Sequence, residues 1–255
     1  MVAHDPQQKL TGQKILVTRP AAQADGMATL IEQQGGEAIL FPVIEIVAID
    51  VIDWQVWHPE QTDWLVFVSR NAVDCFMAGF QGHLPDNIKL VAAGEGTAQA
   101  LNHQGLAVEL VPEISNGSEG LLQLPQWQQM HGQHVVIVRG DGGRELMADT
   151  LRARGASISY LEVYRRQLPS VSVSLVQQAC LADSLIATSA GSVHNLLRLL
   201  STECPQILQK PLCVVSERIR DFAVEQGFKQ VYVSLDASDE AIIQRLIEMG
   251  SDHGA

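Results

Sequence analysis

Hydroxyl and guanidinium side chains recur at matched positions along this chain. Residues 63–76 read DWLVFVSRNAVDCF and residues 183–196 read DSLIATSAGSVHNL, so Asp63, Ser69 and Val73 stand 120 positions before Asp183, Ser189 and Val193. Arg19 and Arg139, at the ends of KILVTRP and HVVIVRG, share that offset, as do Gly35 and Gly155. Ser69, Asn71, Thr97, Thr188, Ser189 and Ser216 all fall where an apolar run gives way to a helix start. Their ordinary work is to cap a helix N-terminus, worth about 1 kcal/mol each. Together, on the carboxyl edges of two sheets facing a cleft, they would also make a lining of neutral donors. Arginine adds a planar fork that grips both oxygens of a carboxylate. The turn RGDGGRE brings Arg139, Gly140 and Arg144 together, with a solvated glycine loop as the competing reading. This inventory suits recognition of a carboxylate.

Other chemistries are poorly served. There is no GxSxG elbow and no histidine placed to activate a serine, which disfavours nucleophilic hydrolysis. The eight histidines form no HxH or HxxxH pair and the four cysteines no CxxC, so no metal site is expected. GEG in VAAGEGTAQ follows a strand and opens a helix, but it lacks the third glycine of a nucleotide fingerprint and carries Glu95. No cofactor is expected. Tyr164 breaks the repeat: aligning Val163 on Val43 sets Tyr164 opposite Ile44, a phenol gained where the first copy is apolar. It is either a packed ring or a weak acid able to hand a proton to a leaving group.

The elements that must position these residues repeat as well. KILVTRP with its helix pairs with HVVIVRG, and the two opening segments pair with each other. KLVAAGEGTAQALNHQG pairs with PLCVVSERIRDFAVEQG, and VELVPEISNGSEGLLQL resembles VYVSLDASDEAIIQRL. Each unit is a short apolar strand, a polar turn and an amphipathic helix, the pattern of a parallel sheet covered on both faces. Two doubly wound α/β domains are expected, with ligands met at the carboxyl ends of the strands. EAILFPVIEIVAI and SISYLEVYRRQL follow the first helix of each copy and read as two extended connectors. The expected organisation is one discontinuous domain of residues 1–43 and 168–255, a second of 50–161, and connectors at 44–49 and 162–167. Adjacent connectors would form a hinge, with Arg165 and Arg166 adding basic residues nearby.

Length and charge agree with this picture. The 255 residues exceed one typical domain of about 150, and 46% hydrophobic with 18% charged residues is ordinary for a soluble globular protein. A formal charge of −12 argues against a nucleic-acid partner or an anionic membrane surface. An anionic ligand therefore needs local basic groups. The first residues contain no apolar run, so no signal peptide is expected, and no stretch reaches the roughly 18 apolar residues of a membrane span. Unpaired cysteines fit a reducing cytoplasm.

The ordered set ILVTRP, WLVFVSRNAV, VAAGEGTAQAL, VRGDGGRELM, LEVYRR and ATSAGSV resembles the uroporphyrinogen-III synthase family over nearly the whole chain. The resemblance implies two flavodoxin-like domains joined by a pair of antiparallel connecting strands. It implies cofactor-independent closure of hydroxymethylbilane, a linear tetrapyrrole with eight carboxylates, to uroporphyrinogen III, with inversion of the terminal ring and loss of water. It makes Tyr164 the candidate acid and Thr97 a matching threonine. The second copy has Ile219 where many members carry a threonine, with Ser216 or Arg218 as substitutes. A cytoplasmic monomer, taking substrate in transient contact with the upstream deaminase, is the expected setting. The rival readings are a two-domain hinge-type binding module without catalysis, and a nucleotide- or flavin-dependent enzyme.

Overall fold

A computed structural model describes residues 8–49, 57–112 and 117–252. Two compact units are present: the split unit, Met1–Glu45 with Gln167–Ala255, and the central unit, Ile46–Arg166. The split unit opens with β1 (Lys14–Val17), α1 (Asp25–Gln33) and β2 (Glu37–Leu40). After the central unit it resumes with α6 (Val173–Cys180), β8 (Ser184–Ala187), α7 (Ala190–Leu200), β9 (Leu212–Val214), α8 (Glu217–Glu225), β10 (Val231–Val233) and α9 (Asp239–Asp252). The central unit runs β3 (Glu45–Ala48), β4 (Trp64–Phe67), α2 (Arg70–Gly79), β5 (Lys89–Ala92), α3 (Glu95–His103) and α4 (Ser118–Leu121). It ends with β6 (His134–Gly140), α5 (Leu146–Ala153) and β7 (Ser157–Gln167). Residues 1–7, and residues 50–56 at the start of the expected second domain, lie outside the described residues.

The split unit's sheet has the order β10-β9-β8-β1-β2, all parallel. The central sheet has the order β3-β7-β6-β4-β5, parallel from β7 to β5. Here β3 lies antiparallel to β7, since Gln167 Nε2 donates to Glu45 Oε2 and Ile49 N–H to the Val163 carbonyl. The continuous apolar runs serve two cores at once. Leu65, Phe67, Val136 and Val138 fill one face of the central sheet while Trp64, Val66, Val135 and Ile137 fill the other. Leu16, Leu185 and Leu212 alternate in the same way with Ile15, Ile186 and Cys213 in the split unit. A strand residue points to alternate faces, so a strand covered on both has no solvent side to write as polar.

The 120-residue repeat is a repeat of hydrogen bonds. Asp183 Oδ2 accepts the Lys14 N–H at 2.8 Å, and Asp63 Oδ2 accepts the His134 N–H at 2.7 Å. The Asp183 N–H returns to the Lys14 carbonyl, and that of Asp63 to the His134 carbonyl. Each aspartate thus locks the start of its strand to the strand beside it. Gly35 and Gly155 end the matching helices at φ of +79° and +94°, a region open to glycine.

The fourth repeated unit departs from expectation. In the split unit it is β10 and the long α9; in the central unit the strand shrinks to a single bridge, Val91 to Leu110, and the helix to the four residues of α4. Pro112 cannot extend a ladder, while Gly117, Gly120 and Pro125 limit the helix. Residues 113–116 of this stretch lie outside the described residues.

The double-faced packing carries a stability prediction. Phe67 is fully buried and meets Phe76 edge-on at 5.2 Å. Phe67→Ala should cost about 3–5 kcal/mol, against about 1 kcal/mol for Ser69→Ala two positions later. Equilibrium denaturation measures both, and equal losses would contradict the packing argument.

Candidate functional site

The carboxyl edge of the central sheet is shaped by one irregularity. Arg139 pairs with Glu162, but the next residue, Gly140, pairs with Tyr164, so β7 advances two residues for one on β6. This bulge brings Val163 and Tyr164 into the same buried cluster as Leu161. The Tyr164 ring lies directly on Gly140, where an added Cβ would come within 2.6 Å of Cε2 and 2.7 Å of Cζ. Only 1% of Tyr164 is exposed. Its hydroxyl sits 3.2 Å from Ser69 Oγ and accepts from Arg166 Nη2 at 3.1 Å. Ser69 is also the N-cap of α2, accepting the Ala72 N–H. The cap expected from sequence therefore also anchors the phenol.

A cavity of about 360 Å³ opens here, lined by Arg139, Arg144, Arg166, Tyr160, Tyr164 and the glycine turn, among others. Arg139 is not free within it. Nη1 donates to Glu145 at 2.8 Å, Nε and Nη2 donate to Glu162 at 3.3 and 3.1 Å, and the guanidinium lies 3.7 Å from the centre of the Tyr160 ring. An incoming carboxylate at Arg139 has to displace one of those glutamates. Arg144 bonds both oxygens of Glu119, at 2.5 and 3.2 Å, in a well-exposed pair. That pair adds little to stability and is the easier of the two to exchange for a ligand.

Tyr160, Glu145 and Glu162 were not picked out by sequence reasoning. The Tyr160 hydroxyl donates to Glu145. Burial first, and Glu145 second, push the Tyr160 phenol above its ordinary range, while the Tyr160 hydroxyl and then Arg139 hold the Glu145 carboxyl below the usual carboxylate range. Of the two phenols lining the cavity, Tyr160 is thus committed to a protein carboxylate. The available signal was the i, i+2 spacing of Tyr160, Glu162 and Tyr164 on one strand.

Asn71 lies half-buried in the first turn of α2. Thr97 is 7% exposed, and its hydroxyl has no hydrogen-bond partner among the described residues. The equivalent third residue of α8 is Ile219, packed in the apolar core at 3% exposure, with Arg218 exposed beside it.

The split unit carries its own polar edge. Arg19, beyond β1, donates to Asp239 at 2.5 Å, tying that edge to the first turn of α9. Thr188 and Ser189 follow β8; Ser189 caps α7, accepting the Ser192 N–H at 3.0 Å. Ser216 follows β9 and caps α8 through the Ile219 N–H at 3.4 Å. All four sit at carboxyl ends of parallel strands, where such sheets meet ligands. Among the described residues no cluster of histidine, cysteine and carboxylate side chains could hold a metal ion, and no helix is long and apolar enough to cross a membrane.

A family model described as uroporphyrinogen-III synthase HemD matches residues 25–244. The uroporphyrinogen-III synthase of Escherichia coli is 32% identical over 248 residues, covering 91% of this chain and 99% of that one. That of Salmonella typhimurium is 30% identical with the same coverage. Among solved structures, the uroporphyrinogen-III synthetase of Helicobacter pylori superposes with a TM-score of 0.67 at 16% identity, over 93% of this chain and 99% of its own. A mutant synthase from Thermus thermophilus gives 0.60 at 18%, over 94% and 99%. At those identities the structural likeness is one of fold.

The seat of Tyr164 on Gly140 predicts a contrast between two glycines. Gly140→Ala forces the ring off its backbone seat and should cost about 1–3 kcal/mol. Gly96→Ala, in the first turn of α3 with nothing within 4 Å of the added methyl, should be neutral or stabilising by up to about 1 kcal/mol. Chemical denaturation of both variants checks this, and a neutral Gly140→Ala contradicts the seat.

Proposed function

The chain belongs to the uroporphyrinogen-III synthase family, and from that premise we propose how its own residues perform the reaction. It cyclises hydroxymethylbilane to uroporphyrinogen III in tetrapyrrole biosynthesis, as a cyclising lyase. The substrate's terminal carbon bears a hydroxyl, a poor leaving group until protonated. Tyr164 supplies that proton: its O–H bond breaks, the C–O bond breaks with its electron pair, and water departs. The electrophilic azafulvene left behind is attacked by the substituted carbon of the far pyrrole ring. The spiro intermediate fragments and recloses with that ring inverted, and a proton lost on rearomatisation restores the phenol. Every step is heterolytic. Atoms and electrons balance with water as the one by-product.

One observation carries the assignment of Tyr164. Among the described residues it is the cavity's phenol whose oxygen faces a hydroxyl and a cation, while Tyr160 is bound to Glu145. Substrate carboxylates are met by Ser69, Asn71, Thr97, Arg139, Gly140 and Arg144 on the central unit. Arg19, Thr188, Ser189 and Ser216 meet others on the split unit. The arginines accept them by exchanging a protein carboxylate for a substrate one, so each guanidinium keeps a carboxylate partner before and after binding. Helix N-termini favour the same anions. On this reading the chain works as a cytoplasmic monomer and collects its short-lived substrate from the upstream deaminase in a transient contact.

Closure without inversion gives the type I isomer, so the ratio of type III to type I product separates catalysis from mere binding. Wild-type protein should convert hydroxymethylbilane predominantly to type III, and a ratio equal to the protein-free control would overturn the assignment. General acid help is worth about 10²–10⁴-fold, and a readily ionised substrate needs the low end or less. Tyr164→Phe should therefore slow type III formation by about 10²-fold at most while staying folded. A purely packing role predicts a stability loss of about 1 kcal/mol with turnover of the folded protein unchanged.

A further inference from the structure

Three arginines line the cavity beside Tyr164, and one of them is unlike the others. Arg139 is paired with Glu145 and Glu162, and Arg144 with Glu119, whereas Arg166 has no carboxylate partner among the described residues. Its protein hydrogen bond runs from Nη2 to the phenol oxygen of Tyr164 at 3.1 Å, and its guanidinium carbon lies 5.4 Å from the ring centre. Residues two apart on a strand project to the same face, so the backbone of β7 builds this pairing in.

A cation in that place does more than hold the ring. The ring is already fixed from below by Gly140 and at its tip by Ser69. By donating to the phenol oxygen, Arg166 occupies one acceptor direction and keeps the phenol's own proton from pointing that way. Ser69 Oγ accepts the Ala72 N–H and can either give its hydroxyl proton to the phenol oxygen or take the phenol's. With Arg166 donating to the oxygen, the phenol's proton is left for Ser69 or the cavity, and when Ser69 gives its own proton the phenol's points to the cavity. As that proton departs, negative charge grows on the oxygen, and a guanidinium without a competing carboxylate stabilises it. The interaction strengthens towards the transition state, which is the kind that accelerates a step.

We propose that Arg166 is a positioning residue for Tyr164, directing the phenol's proton into the cavity and stabilising the oxygen left behind when that proton reaches the leaving hydroxyl. The inference rests on the acid role given to Tyr164 above. The step adds no co-reactant: the phenolate stays paired with Arg166 until it takes back the proton released on rearomatisation.

The test is a double-mutant cycle on the purified chain with hydroxymethylbilane, following type III product and thermal midpoint. Arg166→Met keeps the aliphatic stem and removes only the charged head at an exposed position, so it should fold with an unchanged midpoint. Losing a charged donor should lower kcat about tenfold, with KM nearly unchanged. Added to Tyr164→Phe, the same change should alter kcat by less than about twofold, because both variants remove one shared interaction. A repeated tenfold loss in the Tyr164→Phe background overturns the proposal while leaving Tyr164 as the acid. A rise in KM with unchanged kcat also overturns it, making Arg166 a simple carboxylate contact. Full turnover in Tyr164→Phe alone removes the acid role, and the proposal with it, before Arg166 is touched.

Discussion

The slip between β6 and β7, where Gly140 meets Tyr164 instead of Val163, is the constraint on which the central unit's site depends. Without the extra residue, strand alternation would turn Tyr164 away from the cluster formed by Leu161 and Val163. With it, the ring is laid on a backbone that carries no side chain, and the hydroxyl reaches the cap of α2. The same advance carries Arg166 to the phenol oxygen. A single irregularity in one parallel ladder thus sets the position of the Tyr164 phenol, its anchor and its cation.

The cavity's electrostatics follow a related economy. A chain of net charge −12 cannot attract a polycarboxylate through its overall field. Apart from Arg166, whose head meets the Tyr164 oxygen, the arginines named for the site do not wait without a carboxylate, since buried guanidinium groups without partners are costly. Arg19, Arg139 and Arg144 instead rest against Asp239, Glu145 with Glu162, and Glu119. In the proposed function, binding is an exchange of carboxylates in which the displaced protein carboxylates regain water. Arg144 with Glu119, the most exposed of these pairs, exchanges most readily, while Arg139 also braces β6, β7 and the turn into α5.

Much of this architecture could be read from the chain because its signals are local. The α/β class follows from apolar runs with no solvent face, and the duplication from identical residues doing identical local work. Asp63 and Asp183 receive the amides of His134 and Lys14, and Ser69 and Ser189 cap α2 and α7. What the chain did not disclose is tertiary. The partner of Arg19 is Asp239, 220 residues away, and no composition rule links them. The bulge at Gly140 leaves no mark on the hydrophobic pattern, because Val163 and Tyr164 are both acceptable core residues. The shortened fourth unit is hidden for the opposite reason: VELVP looks like a strand, yet Pro112 cannot extend the ladder past the single bridge at Leu110. Ile219 at the place of Thr97 reads as a lost hydroxyl, yet the position is buried in both units and tolerates either packing.

The central claim is that the Tyr164 hydroxyl gives its proton to the group that leaves. It is tested most directly by changing that group instead of the protein. A bilane whose terminal hydroxyl is replaced by a trialkylammonium loses a neutral amine and requires no proton. The ratio of wild-type to Tyr164→Phe turnover should be large for hydroxymethylbilane and fall to about one for this analogue, because general acid help disappears with the need for it. The same ratio for both substrates would contradict the account and leave the phenol a structural part of the cavity wall.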